Sequence, residues 1–346
     1  MPNSNYIIND TYTVKQTLEK LNESEGRTLF VINQENLLLG SVTDGDVRRA
    51  LLRGINIGDI VIEIANKNVR YIVQHEINKN RISELKEENI SLIPIVNDKG
   101  EVISIVDLSK KKTILPIDAV IMAGGKGTRL RPLTLNTPKP LLKVGDKPII
   151  EYNIDRLSYF GINNLNITIN YLGDQLVDYF GDGKNKDISI KYVKEDKPLG
   201  TIGALKLVED FHNDCILLMN SDLLTNVDFE DLYNEFLTKE GDMIVATIPY
   251  KVTVPYGVVE TKDNYVTNLK EKPTYIYYSN AGIYIFKKEC LNYVPMNSFF
   301  NATDLIDKLL ASNRKVINYP ILGYWLDIGK HEDFEKAQED IKHIKF

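Results

Sequence analysis

A glycine-rich turn followed by two cations is the stretch of this sequence that points most directly to chemistry. Gly124, Gly125 and Gly127 follow the apolar run AVIMA, and Arg129 and Lys139 come next. Glycine lets backbone N–H groups approach an anion closely, arginine is a bidentate phosphate donor, and lysine adds a mobile point charge. The turn fits neither the P-loop pattern nor the dinucleotide fingerprint, which would need a third glycine. The spacing therefore predicts a polyphosphate cradle after a strand.

Two aspartates that are far apart in the chain are candidates for metal ligation. Asp222 ends the apolar run LLMNSD, and Asp327 closes the run YWLD. Two carboxylates together with substrate phosphates suit Mg²⁺, which keeps several waters and takes few protein ligands. Taken alone, each aspartate could equally cap the turn that follows its strand.

The elements that must position these residues alternate along residues 117–346. The strands predicted there are IDAVIMA, NLNITIN, ISIKYV, CILLMN and DMIVATIPY, and the helices are PIIEYNIDRLSYFG, DQLVDYFG, TIGALKLVEDF and FEDLYNEFLTK. This alternation predicts an α/β fold with a Rossmann-like, mostly parallel sheet covered on both faces. Such sheets bind ligands at the carboxyl ends of their strands.

Residues 1–112 form a separate predicted domain, and the break between the two domains falls near the linker KKKTILP, residues 110–116. Its first half is predicted as helix, strand, turn, strand and helix, and its second half as strand, helix, strand, turn and strand. Two units of similar length suggest a pseudo-twofold pair.

Composition limits the classes of protein that the chain could represent. It has 346 residues, is 43% hydrophobic and 26% charged, and carries a net charge of −6. No segment has the apolar length of a membrane helix, no secretory signal is visible, and no basic block suggests nucleic acid. Cys215 and Cys290 are too few for a disulfide framework. We therefore expect a cytoplasmic protein that binds neither membrane nor nucleic acid.

The run G-G-x-G-T-R-L-x-P-L-T with P-K-P resembles the signature of sugar-1-phosphate nucleotidylyltransferases, also called nucleotide-sugar pyrophosphorylases. Further motifs follow in the order of that family over residues 117 to about 341. The resemblance implies a fold of the nucleotide-diphospho-sugar transferase type and Mg²⁺ as cofactor. It also implies a reaction that joins a sugar 1-phosphate to a nucleoside triphosphate and releases pyrophosphate. The attacking phosphate is largely ionised at neutral pH, so no general base is needed.

The resemblance also assigns roles to residues. It assigns catalysis to Arg129, Lys139 and Lys272. It assigns metal binding to Asp222 and Asp327. The nucleotide would contact Ala123, Gly124, Gly125, Gly127 and Thr128, and, in the loop against the base, Leu199, Gly200 and Thr201. The sugar phosphate would contact Tyr256, Gly257, Glu271, Lys272, Asn280 and Gly282. Thr201 could also cap the helix predicted after it. We interpret Glu260 as a solvated strand residue and Trp325 as a packing residue that places Asp327.

The segment GSVTDGDVRRAL resembles the signature of a CBS domain, and residues 5–112 resemble a tandem CBS pair. In such modules a threonine and an aspartate three residues apart hold a nucleotide, which here implies Thr43 and Asp46. The second repeat places Asp107 and Lys110 at those positions, and Lys110 cannot accept hydrogen bonds from ribose hydroxyls. We therefore expect at most one regulatory nucleotide per chain. Alternatively, Asp46 only caps a helix and the pair serves to form a homo-oligomer.

The combination of a CBS pair with such a transferase resembles bacterial guanylyltransferases that supply cell-surface polysaccharide biosynthesis. It favours GTP, with glucosamine 1-phosphate or mannose 1-phosphate, and GDP-glucosamine or GDP-mannose as product. A thymidylyl- or uridylyltransferase acting on glucose 1-phosphate is the alternative enzyme. An inactive nucleotide-sensing regulator is the alternative of another class, and the complete set of catalytic and metal residues disfavours it.

Overall fold

The computed structural model describes residues 4–24 and 28–344, which fall into two units. The first contains the chain up to Pro116 together with Leu157–Asn164 and Asp182–Ser189, and the second contains the rest. The predicted division into residues 1–112 and 117–346 stays a prediction. No helix within the described ranges is long and apolar enough to cross a membrane.

The first unit contains two repeats, each with a three-stranded sheet. The elements of the first repeat are β1 (Ile7–Asn9), α1 (Val14–Glu23), β2 (Thr28–Ile32), β3 (Leu38–Thr43) and α2 (Asp44–Leu52). Those of the second repeat are β4 (Ile72–Val73), α3 (Lys79–Glu87), β5 (Leu92–Val96) and β6 (Val102–Asp107). In each sheet the first two strands are parallel and the last two are antiparallel.

The predicted pseudo-twofold relation is confirmed by the register of the strands. Thr28 pairs with Thr43 in the first repeat, and Leu92 pairs with Asp107 in the second, 64 residues later in both strands. The turns also exchange equivalent hydrogen bonds: Leu38 N donates to Gly100 O at 3.1 Å, and Val102 N donates to Asn36 O at 2.9 Å. Each partner is again 64 residues from its counterpart.

The second repeat differs from the first because the described residues that directly follow β6 form no helix, whereas α2 directly follows β3. The same offset places Lys111 where buried Val47 stands in α2, and Ile114 where buried Ala50 stands. Ile114 joins the apolar core of the second repeat, as Ala50 joins that of the first. The linker therefore occupies core positions that a helix occupies in the first repeat.

The linker is tied to a later part of the chain within the same unit. Lys111 is 5% exposed, and its Nζ donates to Ser158 Oγ at 2.6 Å. Lys112 N donates to Tyr159 O at 2.7 Å, and Leu115 N donates to Phe160 O at 3.2 Å. Burial lowers the pKa of Lys111 below its usual range.

The second unit is built on a mixed sheet. Its strands are β7 (Asp118–Met122), β8 (Lys143–Val144), β9 (Lys147–Pro148), β10 (Asn164–Ile169), β11 (Ser189–Lys194), β12 (Cys215–Asn220), β13 (Leu223–Thr225), β14 (Met243–Thr253), β15 (Val258–Lys262), β16 (Tyr265–Lys270), β17 (Thr274–Lys287), β18 (Val316–Pro320) and β19 (Trp325–Asp327). Its helices are α4 (Ile149–Tyr159), α5 (Asp174–Phe180), α6 (Phe229–Thr238), α7 (Ala302–Ala311) and α8 (His331–Asp340). The central sheet has the order β11-β10-β7-β12-β17-β14-β18.

The sheet is mostly parallel, as the alternating pattern predicts. Strands β10, β7 and β12 are parallel to one another, and β14 is parallel to β18. Strand β17 runs antiparallel to both of its neighbours, which the sequence interpretation missed. Beyond a register shift between Val245 and Thr247, β14 and β17 continue as an exposed two-stranded ribbon that leads to the β15–β16 hairpin.

The prediction of a helix over TIGALKLVEDF is wrong. Only a short 3-10 turn forms, at Gly203–Leu207. Ile202 and Leu205 are buried in the core beside the sheet, and Ile202 N and Gly203 N both donate to Phe300 O at 3.1 Å. These long-range bonds fix the backbone in a conformation that a regular helix would not allow, so tertiary contacts override the local periodicity.

Candidate active site

A cavity of about 580 Å³ opens at the carboxyl ends of parallel strands β7, β10 and β12, where the fold class predicts a ligand site. Its wall combines the glycine-rich turn, the end of β11, the segment after β12 and a loop before α7. The lining residues are Met122, Ala123, Gly124, Gly125, Lys126, Gly127, Thr128, Arg129, Lys139, Pro140, Thr168, Asn170, Glu195, Pro198, Gly200, Thr201, Asn220, Ser221, Asp222, Phe299, Asn301 and Gly329.

The glycine-rich turn has the geometry of a cradle. Gly127 has a φ of +59°, and a Cβ there would lie 3.0 Å from Thr134 Cγ2, so a side chain would be both strained and crowded. A Cβ on Gly124 would lie 2.9 Å from Glu195 Oε1. Ala123 N donates to Thr168 O at 3.0 Å, which anchors the start of the turn to β10. Glycine is therefore required at Gly127, and a side chain at Gly124 would displace the Glu195 carboxylate, whereas Gly125 has open space around it.

The two predicted metal aspartates lie next to each other. Strands β13 and β19 pair with Leu223 opposite Asp327, and Ile328 N donates to Asp222 O at 3.0 Å. The Oδ1 atom of Asp327 is buried and has no hydrogen-bond partner in the part of the chain that the structure describes. Burial, followed by the negative charge of Asp222, raises the pKa of Asp327 above its usual range.

Cations already lie around this carboxylate pair. Lys139 Nζ forms an ion pair with Asp222 Oδ2, and both side chains are largely buried. The Arg129 guanidinium packs at Gly329, where a Cβ would lie 3.4 Å from its Nη2. Their charges oppose the rise in the pKa of Asp327. A divalent cation fits these donors, because it would supply the missing partner of Asp327 Oδ1.

The loop of sequence P-L-G-T, residues 198–201, packs against the loop before α7. Gly200 has a φ of +76°, and a Cβ there would lie 2.6 Å from Phe300 O. Thr201 Oγ1 accepts from Ala302 N at 2.7 Å, so Thr201 contacts the start of α7 and caps no helix of its own. Leu199 is buried and does not line the cavity, although its N–H donates to Glu195 Oε2 at 3.0 Å. Gly200 and Thr201 line the cavity, and Leu199 supports them.

The residues predicted to contact the sugar phosphate lie in two different places. Gly282 has a φ of +70°, and a Cβ there would lie 2.6 Å from Nδ2 of Asn220, which lines the cavity. Its N–H donates to Asn280 Oδ1 at 2.9 Å. Tyr256 is 75% exposed, and Gly257 lies close to Glu271, where a Cβ would come within 3.2 Å of Oε2.

Tyr256, Gly257, Glu271 and Lys272 all lie at exposed ends of the β15–β16 hairpin and not among the lining residues of the cavity. Their assignment to the sugar phosphate stays a prediction. Glu260 forms an ion pair with Lys270 at 2.5 Å on the exposed hairpin, which agrees with its interpretation as a solvated strand residue.

Several residues of the cavity were not selected from the sequence. Glu195 directly follows β11 and is 8% exposed, and burial raises the pKa of its carboxyl against opposing hydrogen bonds from Leu199 and Thr168. Asn170, Asn220, Phe299 and Asn301 also line the wall. Glu195 could have been found as a carboxylate that ends a predicted strand, as Asp222 was. Phe299 offers no comparable signal, because its loop meets the cavity only through long-range contacts.

The CBS-like residues of the first unit are engaged with each other. Thr43 N and Oγ1 donate to Asp46 Oδ2 at 2.9 and 2.7 Å, and Asp46 N donates back to Thr43 Oγ1 at 3.3 Å. Arg49 contacts Asp46 Oδ1 at 2.5 Å. This capping box begins α2. The 64-residue offset places Asp107 and Lys110 at the equivalent positions, as predicted from the sequence.

Comparison with known families matches two regions of the chain. The family model described as "Nucleotidyl transferase" matches residues 118–344, and a family model described as "CBS domain" matches residues 1–53. Both agree with the resemblances noted in the sequence.

Individual relatives align with the second region. Mannose-1-phosphate guanylyltransferase of Mycobacterium tuberculosis is 30% identical over 233 residues, covering 65% of this chain and 64% of that protein. The chain thus spans less than two thirds of this relative. D-glycero-alpha-D-manno-heptose 1-phosphate guanylyltransferase of Aneurinibacillus thermoaerophilus is 30% identical over 233 residues, covering 66% of this chain and 99% of that protein. The crystal structure of HddC from Yersinia pseudotuberculosis superposes with a TM-score of 0.51 at 25% identity, covering 65% and 99% of the two chains.

Proposed function

Because this chain belongs to the nucleotidyl transferase family, we propose that it joins a sugar 1-phosphate to GTP, yielding a GDP-sugar and pyrophosphate. An oxygen of the sugar 1-phosphate attacks the α-phosphorus of the nucleotide. The bond between the α-phosphorus and its bridging oxygen breaks, and pyrophosphate leaves with that electron pair. The attacking phosphate is already largely ionised, so the step needs no proton acceptor. Catalysis then rests on positioning and on neutralising charge.

The residues of the cavity, together with Asp327 beside it and Lys272 on the hairpin, would supply these two effects. The amides of the glycine-rich turn and the Arg129 guanidinium would hold the triphosphate, and Lys139 would neutralise a reacting phosphate. Asp222 and Asp327 would hold Mg²⁺, which when bound adds positive charge beside the phosphate oxygens. Lys272 would act on the sugar phosphate from the hairpin. The buried, unpartnered Oδ1 of Asp327 supports the metal assignment.

Glu195 is the observation that carries the preference for GTP. Its carboxylate is buried in the cavity wall and can only accept hydrogen bonds when it is ionised. Guanine presents two adjacent donors, N1–H and the 2-amino group, and a carboxylate pairs with both. Uracil and thymine present one donor flanked by two carbonyl acceptors, which a buried carboxylate would repel. Both named relatives are also guanylyltransferases.

The test measures kcat/KM of the full chain for GTP, UTP, dTTP and CTP, each with mannose, glucosamine and glucose 1-phosphates. We expect GTP to lead by at least about tenfold, and Glu195→Gln to lower kcat/KM for GTP by at least about tenfold because a carboxylate–donor pair is lost. The same variant should leave the values for UTP and dTTP unchanged or higher. A wild-type protein that prefers UTP or dTTP would instead support the uridylyl- or thymidylyltransferase alternative.

The pH dependence adds a second readout for Glu195. Since burial raises the pKa of this carboxyl, protonation should weaken GTP binding at a higher pH than an ordinary glutamate would. The Glu195→Gln variant should lose that dependence. Mannose 1-phosphate or glucosamine 1-phosphate as acceptor, a regulatory nucleotide at the CBS pair, a homo-oligomer and a cytoplasmic location remain further parts of the proposal.

A further inference from the structure

An exposed aromatic ring lies in the wall of the cavity. Phe299 lines the cavity and is 63% exposed, whereas the adjacent Phe300 is 9% exposed and belongs to the apolar core. A phenylalanine ring left in contact with water forfeits the stabilisation that burial would give it. Apolar side chains that remain open inside a ligand cavity commonly mark a surface that a ligand covers.

The backbone that follows Phe299 is fixed. Phe300 N donates to Leu199 O at 2.9 Å, and Phe300 O accepts from Ile202 N and Gly203 N. At the next residue, Asn301 N donates to Asp304 Oδ2 at 2.7 Å, and Asn301 Oδ1 accepts from Thr201 N at 3.3 Å. The ring is therefore presented from a backbone that is already ordered, which reduces the entropy cost of binding a planar partner against it.

The ring lies beside the residues that the proposed function assigns to the base. The hydrogen bonds of Phe300 join its loop to the segment from Pro198 to Thr201, and that segment begins three residues after Glu195 and is bonded to it through Leu199. Charged phosphate-binding groups lie on other elements, in the glycine-rich turn and at Lys139. A planar, uncharged part of the substrate suits the position of Phe299 better than a phosphate does.

We infer that Phe299 is a stacking platform for the base of the nucleoside triphosphate. The inference rests on the proposed function for the identity of the substrate, but it assigns a different task from that of Glu195. Every base has a π-face, so stacking on an aromatic side chain strengthens binding with little regard to sequence. Phe299 thus sets the affinity for nucleotides in general, whereas Glu195 sets the preference among them.

The test compares nucleotide binding by the full-length protein and its variants, using calorimetric titration with GTP and UTP in the absence of sugar phosphate. Phe299→Ala should raise the Kd for whichever nucleotide binds by about 5- to 150-fold, the range expected for one lost stacking contact. Phe299→Tyr and Phe299→Trp should stay within about threefold of wild type. Phe299→Leu, which keeps apolar volume without a π-face, should resemble Phe299→Ala.

Two controls separate stacking from general damage to the site. Tripolyphosphate occupies the cradle without a base, so its Kd should be the same in wild type and Phe299→Ala. Met296 is 64% exposed in the same loop but does not line the cavity, so Met296→Ala should leave the Kd for GTP unchanged. In Phe299→Trp, GTP should change the tryptophan fluorescence beyond the change seen with wild type, and tripolyphosphate should not.

The outcomes keep this inference apart from the proposed function. If UTP binds better than GTP and Phe299→Ala still weakens both, the preference for GTP is wrong and the platform stands. If GTP binds tightly to wild type and equally tightly to Phe299→Ala, the platform is wrong and the proposed function stands. A Phe299→Leu variant that binds like wild type would also overturn stacking, because apolar contact alone would then suffice.

Discussion

Two aspartates that motifs single out, one in each unit, differ in what surrounds them. Partial burial raises the pKa of Asp46, but hydrogen bonds from Thr43 and the Arg49 guanidinium outweigh it and leave the pKa below its usual range. Burial and the charge of Asp222 raise the pKa of Asp327, whose Oδ1 has no partner in the described residues. The atoms of Asp46 are engaged in beginning a helix, whereas Oδ1 of Asp327 is buried without a partner.

This contrast teaches how to interpret a motif once its geometry is known. A buried polar atom without a partner costs free energy, so a fold retains it where a ligand completes it. A polar atom that is already satisfied needs nothing more. The contrast predicts the order of mutational effects on activity. Substitutions around the cavity should have the largest effects, and those in the CBS-like capping box the smallest.

The largest effect is expected from the carboxylate pair. Asp222→Asn and Asp327→Asn should each lower kcat by at least about 100-fold with Mg²⁺ present, because the charge that holds the cation is lost. Asp327→Asn should keep or raise the unfolding midpoint, since it removes a largely buried carboxylate that lies beside Asp222 and whose Oδ1 has no partner among the described residues. The measurements are steady-state turnover and thermal unfolding. Exposed Asp178→Asn is the matched control. Wild-type turnover in both variants would show that activity does not need this carboxylate pair, and the contrast between the two units would then be wrong.

A smaller effect is expected from the phosphate cradle. Arg129→Ala should lower kcat for nucleotide transfer by about 10- to 100-fold, because a preorganised charge-assisted donor is lost, and should leave the KM for the sugar phosphate unchanged. Arg131→Ala is the control, since Arg131 lies two residues away and does not line the cavity. A rise confined to the KM for sugar phosphate would assign Arg129 to the other substrate.

The hairpin offers a sharper test of the sugar side. Lys272→Gln should raise the KM for the sugar 1-phosphate by about tenfold and leave the Kd for the nucleotide unchanged, because one exposed charge contact to a phosphate is removed. Lys262→Gln, an exposed lysine at the end of β15, should have no effect. Equal results for the two variants would mean that the hairpin does not reach the sugar phosphate.

The smallest effect on activity is expected from the capping box. Asp46→Ala should leave turnover within about twofold and lower the free energy of unfolding by about 1 kcal/mol, the usual cost of a lost N-terminal cap. Asp44→Ala, in the same first turn, removes a carboxylate that does not take part in the box. Titration of the full chain with AMP and GMP completes the test. A binding signal that Asp46→Ala abolishes would show that the box opens for the proposed regulatory nucleotide, and the contrast drawn above would then hold only for the unliganded protein.

Much of the fold could be predicted because local pattern and tertiary structure agree. The strand CILLMN was predicted with the bounds that the structure gives it. The parallel sheet and the position of the cavity at its carboxyl edge follow from the alternation of strands and helices. The glycine-rich turn was recognisable because its backbone needs a residue type that few other positions require.

The rest depends on contacts that are remote in sequence. The helix predicted after Thr201 fails because Phe300, about 100 residues later, takes hydrogen bonds from Ile202 and Gly203. Phe299 reaches the cavity only through the same contact. Strand β17 inserts between β12 and β14 and reverses the local direction, which no short window of the sequence encodes. The pairing of Asp222 with Asp327 came from family resemblance, since the two lie over 100 residues apart.

The linker that completes the second repeat affects the order in which the N-terminal unit can be assembled during synthesis. The chain up to Pro116 leaves the ribosome first, but Leu157–Asn164 and Asp182–Ser189 belong to the same unit and follow later. At about 5–20 residues per second, the roughly 70 residues from Pro116 to Ser189 take about 4–15 s to synthesise. Throughout the first part of that interval the Lys111 ammonium lacks Ser158, its acceptor at 2.6 Å. The unit that is encoded first thus gains its last contacts only after strands β7 and β10 of the catalytic sheet have been made.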